Sequence, residues 1–255
     1  MQDKMSVTQS GAGPVTPVQQ YRRTVGEPWG RMFYDLVFSQ LPGSDRTMKI
    51  LDVGAGFCIT AAHLAENNDV TALEPSEEMR SLRVDGRYRL SEGGTEKLYE
   101  FSDSSFDMVI CHNVLDYIPE KSGILKEFCR VVKKGGSVSI VKHNLAGRVF
   151  GAAVSGDDPK TALALLDGKD SYANSFGKRS IYSDDELSEQ MAASGMRLEK
   201  TYGIRSFFGL SQNNDIKYTD EWYRDMLALE MRVSEMPVYM QAAYFHHLIF
   251  RKEIS

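Results

Sequence analysis

Apolar and polar positions along the chain follow two alternating rhythms. Trp29, Phe33, Leu36, Val37, Phe38 and Leu41 form an apolar face at helical spacing, with structure expected from about Tyr21, and Pro42-Gly43 stops that helix. A short apolar run, Met48 to Val53, then ends at glycines. A helical stretch from about Ile59 to Glu66 follows, and a second strand, Val70 to Leu73, completes a β-α-β unit. Ser76 is placed to cap a helix reaching about Leu82, Tyr88 to Leu90 reads as a weak strand, and Phe106 to Cys111 as a buried one. Asn113 to Ile118 has room for one or two helical turns. Ile124 to Val132 is amphipathic and stops at Lys134-Gly135-Gly136, before a fifth strand from Ser137 to Val141. Strands alternating with helices at this spacing predict an α/β fold built on a doubly wound parallel sheet.

After His143 the rhythm breaks. Asn144 to Tyr182 is rich in small and polar residues without a strand period, and reads as an insertion, about 144–182, covering the C-terminal edge of the sheet. Ser183-Asp184-Asp185-Glu186 is a capping box for a helix to about Ala193; Met196 to Tyr202 and His246 to Arg251 are strands. Between them Trp222, Met226, Leu229 and Val233 share one face of an added helix, within a cap spanning about 205–240. The expected organisation is a mobile leader over residues 1–20 and one domain over 21–255.

Charge and composition narrow the function. With 30 Lys and Arg against 35 Asp and Glu, the formal charge is −5, so no global positive field recruits nucleic acid or anionic lipid. No stretch approaches the roughly 18–20 consecutive apolar residues of a membrane span, and the N-terminus has no signal-type apolar run, so a cytoplasmic chain with no membrane partner is expected. Cys58, Cys111 and Cys129 have no close pairing and sit in apolar neighbourhoods, as reduced packing thiols do. The five histidines make no ligand spacing, so no metal is expected.

The strongest local signal is Leu51-Asp52-Val53-Gly54-Ala55-Gly56-Phe57. Gly54 and Gly56, lacking Cβ atoms, let main chain turn sharply and approach a ligand, and the helix start offers free N–H groups. The nicotinamide-dinucleotide fingerprint would want a third glycine where Ile59 stands. Glu74 ends the next strand, 20 residues beyond the first glycine, and its two oxygens suit both hydroxyls of a ribose.

These residues resemble the class I S-adenosylmethionine-dependent methyltransferases of the type 11 group. The resemblance runs on through Ser105 to Ile110, His112-Asn113-Val114-Leu115-Asp116-Tyr117-Ile118 and Leu125 to Gly136, covering about residues 48–143. It implies a Rossmann-like seven-stranded sheet with an antiparallel last strand, and S-adenosylmethionine as cofactor. It places Gly54, Ala55 and Gly56 under the methionine part, Asp52 toward the amino-acid end, Glu74 on the ribose and His112 beside the sulfonium, with Pro75 also among the cofactor-binding residues. Two departures stand out: Cys58 replaces the motif's last glycine, and Gly94-Thr95-Glu96 replaces the usual adenine-contacting Asp. Adenine recognition is then expected from Thr95 and Glu96 or from packing by Met79.

The C-terminal part is similar to the bacterial tRNA wobble-uridine 5-oxyacetic acid carboxyl methyltransferases. The similarity lies in Asn144 to Gly147, Gly203-Ile204-Arg205-Ser206-Phe207, Leu227 to Arg232, Glu235 to Tyr239 and Tyr244-Phe245-His246. It implies an oxygen acceptor, a carboxylate on a tRNA uridine, with a small molecule as the other class. Arg31 is carried over as a partner for the cofactor carboxylate, and His143, Arg205 and Tyr244 as substrate-binding residues. Residues 144–255 carry 13 Lys and Arg against 16 Asp and Glu, so tRNA binding would need Arg148, Lys178, Arg179, Arg205 and Arg224 to converge. The aromatic run Tyr202, Phe207, Phe208, Tyr218, Trp222 and Tyr223 reads as cap core before base-stacking surface.

A carboxylate acceptor is already ionised at neutral pH and needs no base. A hydroxyl or amine needs a proton sink, for which His143 and Glu230 are the candidates; no catalytic base is assigned. A nicotinamide-dependent oxidoreductase and a non-catalytic cofactor-binding protein are the remaining alternatives.

Overall fold

The computed structural model describes residues 14–169, 172–173, 177–178 and 182–254. Helices α1 (Pro17–Gly26) and α2 (Pro28–Gln40) come first. Residues 17–20, expected in the leader, are helical, and residues 1–13 lie outside the described residues. Thr16 and Gln19 form a reciprocal capping box and Pro17 occupies the first turn, so α1 is well started before Tyr21. The turn between the two helices is tight. A Cβ on Gly30 would lie 2.2 Å from the Val25 carbonyl oxygen, and only glycine permits that approach.

The alternating region follows: β1 (Lys49–Val53), α3 (Ile59–Leu64), β2 (Asp69–Glu74), α4 (Glu77–Ser81), β3 (Arg89–Glu92), β4 (Phe106–His112), α5 (Ser122–Val131) and β5 (Val132–His143). One boundary differs from the sequence expectation. Lys134-Gly135-Gly136 does not stop α5; it lies inside β5, at an irregularity where the pairing steps from Phe106↔Val132 to Met108↔Ser137. Gly135 has φ +72°, and a Cβ on Gly136 would come within 2.7 Å of the Asp107 carbonyl. The glycines serve a bulge in the ladder.

The insertion is largely helical. It holds α6 (Leu145–Phe150), a π-helical turn Gly151–Ser155, α7 (Pro159–Leu166) capped by Asp158, and a two-residue hairpin of β6 (Tyr172–Ala173) and β7 (Gly177–Lys178). Then come α8 (Asp184–Ala192) behind its Ser183/Glu186 capping box, β8 (Met196–Ile204), α9 (Asp220–Val233), α10 (Pro237–Met240) and β9 (Phe245–Lys252).

The main sheet has the order β3-β2-β1-β4-β5-β9-β8. Strands β1 to β5 pair in parallel, while β9 runs antiparallel between β5 and β8. This is the expected Rossmann-like seven-stranded sheet. Its central strands are buried on both faces and accordingly read as continuous apolar runs. On one side Leu51, Leu73, Val109, Phe128, Val138 and Phe250 pack with α5 and α8. On the other, Met32, Leu36 and Val37 of α2 meet Val141, Ile204, Phe208, Tyr223 and Phe245, tying the N-terminal helices and the cap to the same face. Among the described residues no helix is long and apolar enough to cross a membrane.

Candidate functional site

The C-terminal ends of β1, β2 and β4 open into a cavity of about 780 Å³. In a parallel sheet this is the edge where ligands bind, at the point where the strand order reverses. Here β1 has β2 on one side and β4 on the other, so the crevice opens at β1's end. Val18 and Tyr21 of α1 with Phe33 and Tyr34 of α2 form its roof.

The glycine turn shapes one wall. Gly54 (φ +73°) and Ala55 both donate their N–H to the Leu73 carbonyl at 2.9 Å, and a Cβ on Gly54 would stand 2.4 Å from Val114 Cγ2. Gly56 (φ +56°) donates to Glu74 Oε2 at 2.7 Å, while Ser76 donates to Oε1 at 2.8 Å. Glu74 therefore locks the turn after β1 to the start of α4, where the Ser76 hydroxyl accepts from Met79 N–H. Cys58, at the N-cap of α3, has φ +55°, a left-handed conformation that glycine would adopt without cost.

Beneath the turn lies Asp52, 3% exposed, with Oδ2 unpartnered. Burial first, and the nearby Glu74 carboxylate second, push its pKa up to about 7. Two further sealed acceptors without partners, His112 Nδ1 and Asn113 Oδ1, belong to the same cavity lining. Asn113 adopts φ +57° directly after β4. An oxygen or nitrogen lone pair buried without a donor is costly, so this surface suits a ligand that brings positive charge and donors. S-adenosylmethionine, with an ammonium and a sulfonium, fits it. The opposite wall is less polar: Pro75, Met79, Gly94 and Thr95, with Glu96 turned back so that its carboxylate accepts the Gly94 N–H at 2.7 Å. That hydrogen bond, above all, holds the Glu96 carboxyl below the usual carboxylate range.

The cavity lining also holds His143, whose partner Asp116 the sequence did not single out. Asp116, in a 3-10 turn after β4 and 3% exposed, places Oδ2 2.6 Å from His143 Nδ1 at the end of β5. The His143 backbone N–H donates to the same oxygen at 3.3 Å. The imidazole lies 4.7 Å, centroid to centroid, from Phe245 at the start of β9. Both His143 and Phe245 line the cavity, together with Tyr117 and Ile118.

Of the residues singled out from sequence, Asp52, Gly54, Ala55, Gly56, Glu74, Pro75, Met79, Thr95, Glu96, His112 and His143 converge on this one cavity. Arg31, Arg205 and Tyr244 do not line it. The Arg31 side chain is instead drawn over the Tyr223 ring at 4.2 Å and lies 3.8 Å from Asp35. Arg205, at φ +64° just after β8, stacks its guanidinium on Tyr244, Phe208 and Phe245 at 5.3, 5.7 and 5.9 Å, behind the wall rather than on it. Tyr244 belongs to that same layer. Glu230 is withdrawn as a base, because it is 1% exposed and its oxygens accept the N–H groups of Ser206, Phe207 and Phe208 at 2.7–2.8 Å. Among the described residues the named cations form no exposed basic patch: Arg148 is buried, Arg205 is shielded by rings and Arg224 is exposed on α9; the side chains of Lys178 and Arg179 lie outside the described residues. The aromatic run divides, with Phe208 and Tyr223 in the core and Tyr218 exposed. Among the described residues no group of three or more His, Cys, Asp or Glu could hold a metal.

Comparison with known proteins agrees with this geometry. A methyltransferase domain model matches residues 51–140. The ubiquinone biosynthesis O-methyltransferase of Bordetella avium (strain 197N) is 27% identical over 188 residues, 70% of this chain and 76% of that protein. The phosphatidylethanolamine N-methyltransferase of Cereibacter sphaeroides is 26% identical over 174 residues, 60% of this chain and 82% of its own. Among solved structures, an S-adenosylmethionine-dependent methyltransferase from Thermotoga maritima superimposes with a TM-score of 0.61 at 18% identity, covering 93% of this chain and 96% of its own.

Proposed function

Because the chain carries a class I S-adenosylmethionine-dependent methyltransferase domain, we propose that it methylates a hydroxyl oxygen, with the Asp116–His143 pair receiving the proton that the acceptor gives up. The observation that carries this reading is the 2.6 Å hydrogen bond between Asp116 and His143, which lines the cavity. When bound, S-adenosylmethionine supplies the methyl group already activated as a sulfonium. The protein's work is then alignment, exclusion of water and handling of one proton. Asp116 accepts the His143 Nδ1–H, which fixes the tautomer with Nε2 as the proton-accepting nitrogen and stabilises the imidazolium that forms. A carboxylate acceptor would have no use for such a pair. The name of the Bordetella avium relative supports an oxygen acceptor.

On this reading Asp52 would hold the cofactor's ammonium and Glu74 its ribose, with Pro75 also at the cofactor, and Met79, Thr95 and Glu96 would meet its adenine. His112 stands by the sulfonium, and Phe245, Tyr117 and His143 frame the acceptor. Residues of α1 and α2 cover the cavity from above.

A second reading, the carboxylate of a modified tRNA uridine, is favoured by one observation. The Arg205 guanidinium has a sealed, unpartnered Nε and stacks on Tyr244, whose ring centroid is 5.8 Å from that of His143. Methyl transfer from labelled S-adenosylmethionine into phenolic small molecules and into bulk tRNA decides between them. The hydroxyl reading expects base-stable label in the small molecules. It also expects His143→Ala to lower kcat about 10²- to 10⁴-fold with little change in KM for the acceptor. Base-labile label in tRNA, with kcat retained in His143→Ala, would refute it.

A further inference from the structure

Beneath the cavity floor a line of hydrogen bonds crosses the sheet. Gln40, the last residue of α2, donates its Nε2–H to the Gly203 carbonyl at 3.2 Å, which turns its Oε1 toward His247 Nδ1 at 2.9 Å. An amide oxygen only accepts, so the His247 proton sits on Nδ1. His247 is fully buried, and burial drives its pKa down to about 3, leaving the ring neutral and Nε2 bare. That nitrogen takes the O–H of Ser139 at 2.7 Å. With its proton committed, the Ser139 hydroxyl accepts, at 2.8 Å, from His112 Nε2–H. Burial and the neighbouring His247 hold the His112 imidazole well below its ordinary value, so its other nitrogen, Nδ1, is an unprotonated lone pair. It is sealed from solvent and meets no partner in the protein.

Each donor in this chain is settled by the one before it, from Gln40 to His112. The outcome matches the rest of the floor. Asn113 Oδ1 and His112 Nδ1 are unpartnered acceptors, and Asp52 Oδ2 joins them when its carboxyl ionises.

We infer that the Gln40–His247–Ser139–His112 chain is a charge selector, which fixes His112 as the neutral Nε2–H tautomer so that the floor favours the sulfonium of S-adenosylmethionine over the neutral thioether of S-adenosylhomocysteine. Lone pairs in a shielded site attract a cation strongly and a thioether hardly at all. The other tautomer would aim an N–H dipole at the same place and reverse the preference. Gln40, His247 and Ser139 are positioning residues: they act through His112. The inference rests on the methyltransferase domain and not on the identity of the acceptor.

Two measurements test it. Long-range proton–nitrogen NMR of the ¹⁵N-histidine-labelled wild-type protein is expected to show His112 protonated at Nε2 and His247 at Nδ1. Calorimetric affinities for S-adenosylmethionine and S-adenosylhomocysteine are expected to show their ratio falling about fivefold in Ser139→Ala, through the sulfonium ligand, and recovering in Ser139→Thr, which keeps the hydroxyl. A merely structural Ser139 would weaken both ligands equally. His112 found protonated at Nδ1 in the wild type, or a folded Ser139→Ala with an unchanged ratio, overturns the inference. If Ser139→Ala does not fold, the wild-type tautomers decide. Wild-type protein that binds neither ligand overturns the methyltransferase assignment as well, which sets that failure apart from this one.

Discussion

Asp52→Asn is expected to make the cofactor-free protein more stable while weakening its hold on S-adenosylmethionine. Asp52 is 3% exposed, and burial followed by the Glu74 charge raises its pKa from 3.8 to about 7. A folded-state pKa above the unfolded one means that the native protein keeps a proton the unfolded chain has released. The contribution of Asp52 to stability is therefore fullest below about pH 4 and is lost as the pH rises to about 7. About three pKa units at roughly 1.4 kcal/mol each put the loss near 4 kcal/mol, of which about 2 kcal/mol develops between about pH 5.5 and about pH 8. An amide of the same shape does not titrate. Urea unfolding of both proteins without ligand should then show the variant gaining about 2 kcal/mol on the wild type over that pH interval. Calorimetry at about pH 8 should show its affinity for S-adenosylmethionine reduced about 10- to 100-fold, since the ammonium loses a charged acceptor. A stability difference that stays constant with pH, within about 0.5 kcal/mol, would refute the assignment of a strained buried carboxyl at this position.

Glu74→Gln should cost more than a ribose contact. The carboxylate accepts from Gly56 and Ser76 backbone N–H groups, and an amide can satisfy only one of them. A loss of about 1–3 kcal/mol in stability is expected together with at least about tenfold weaker cofactor binding, measured by urea unfolding and calorimetry; full stability with weakened binding would show that Glu74 serves the ligand alone. The three cysteines are buried, and burial pushes the Cys58 and Cys129 thiols up to about 11 and raises that of Cys111 as well. A thiol reagent at neutral pH should titrate none of them in the native protein and all three in denaturant, and rapid native labelling of any one would contradict that burial.

The features legible in the sequence are those that local chemistry dictates. Gly54, Gly56 and Glu74 could be read because a sharp turn, a close approach and a strand-end carboxylate depend on residues near in the chain. Even Cys58, which departs from the glycine expected there, keeps the left-handed backbone the position requires. That Arg31 lies outside the cavity lining could not be read, because where its long side chain goes is decided by what packs there, and Tyr223 on α9 takes it. Asp116 stood within a quoted motif without a role, since its partner His143 is 27 residues away and meets it only when β5 lies beside β4. Glu230 had the right chemistry for a base but lies where three backbone N–H groups consume it.

The strand least visible in the parallel pattern, β9, explains most of what was missed. Running antiparallel, it begins at the edge where the parallel strands end, so Phe245 falls opposite His143 and joins the cavity, while His247 falls opposite Val141. His112 pairs with that same Val141 from the other side, which puts His112, Ser139 and His247 on one face of the sheet. Helix α2 covers this face, presenting Phe33 and Tyr34 to the cavity and Gln40 to the network. Four polar side chains in an apolar interface are expensive to bury, and a sheet built for stability alone would carry aliphatic residues there. The cost is met at every link except one. The unpartnered atom, His112 Nδ1, belongs to the residue that borders the cavity, which is where a network serving a ligand, rather than the fold, would leave its remaining valence.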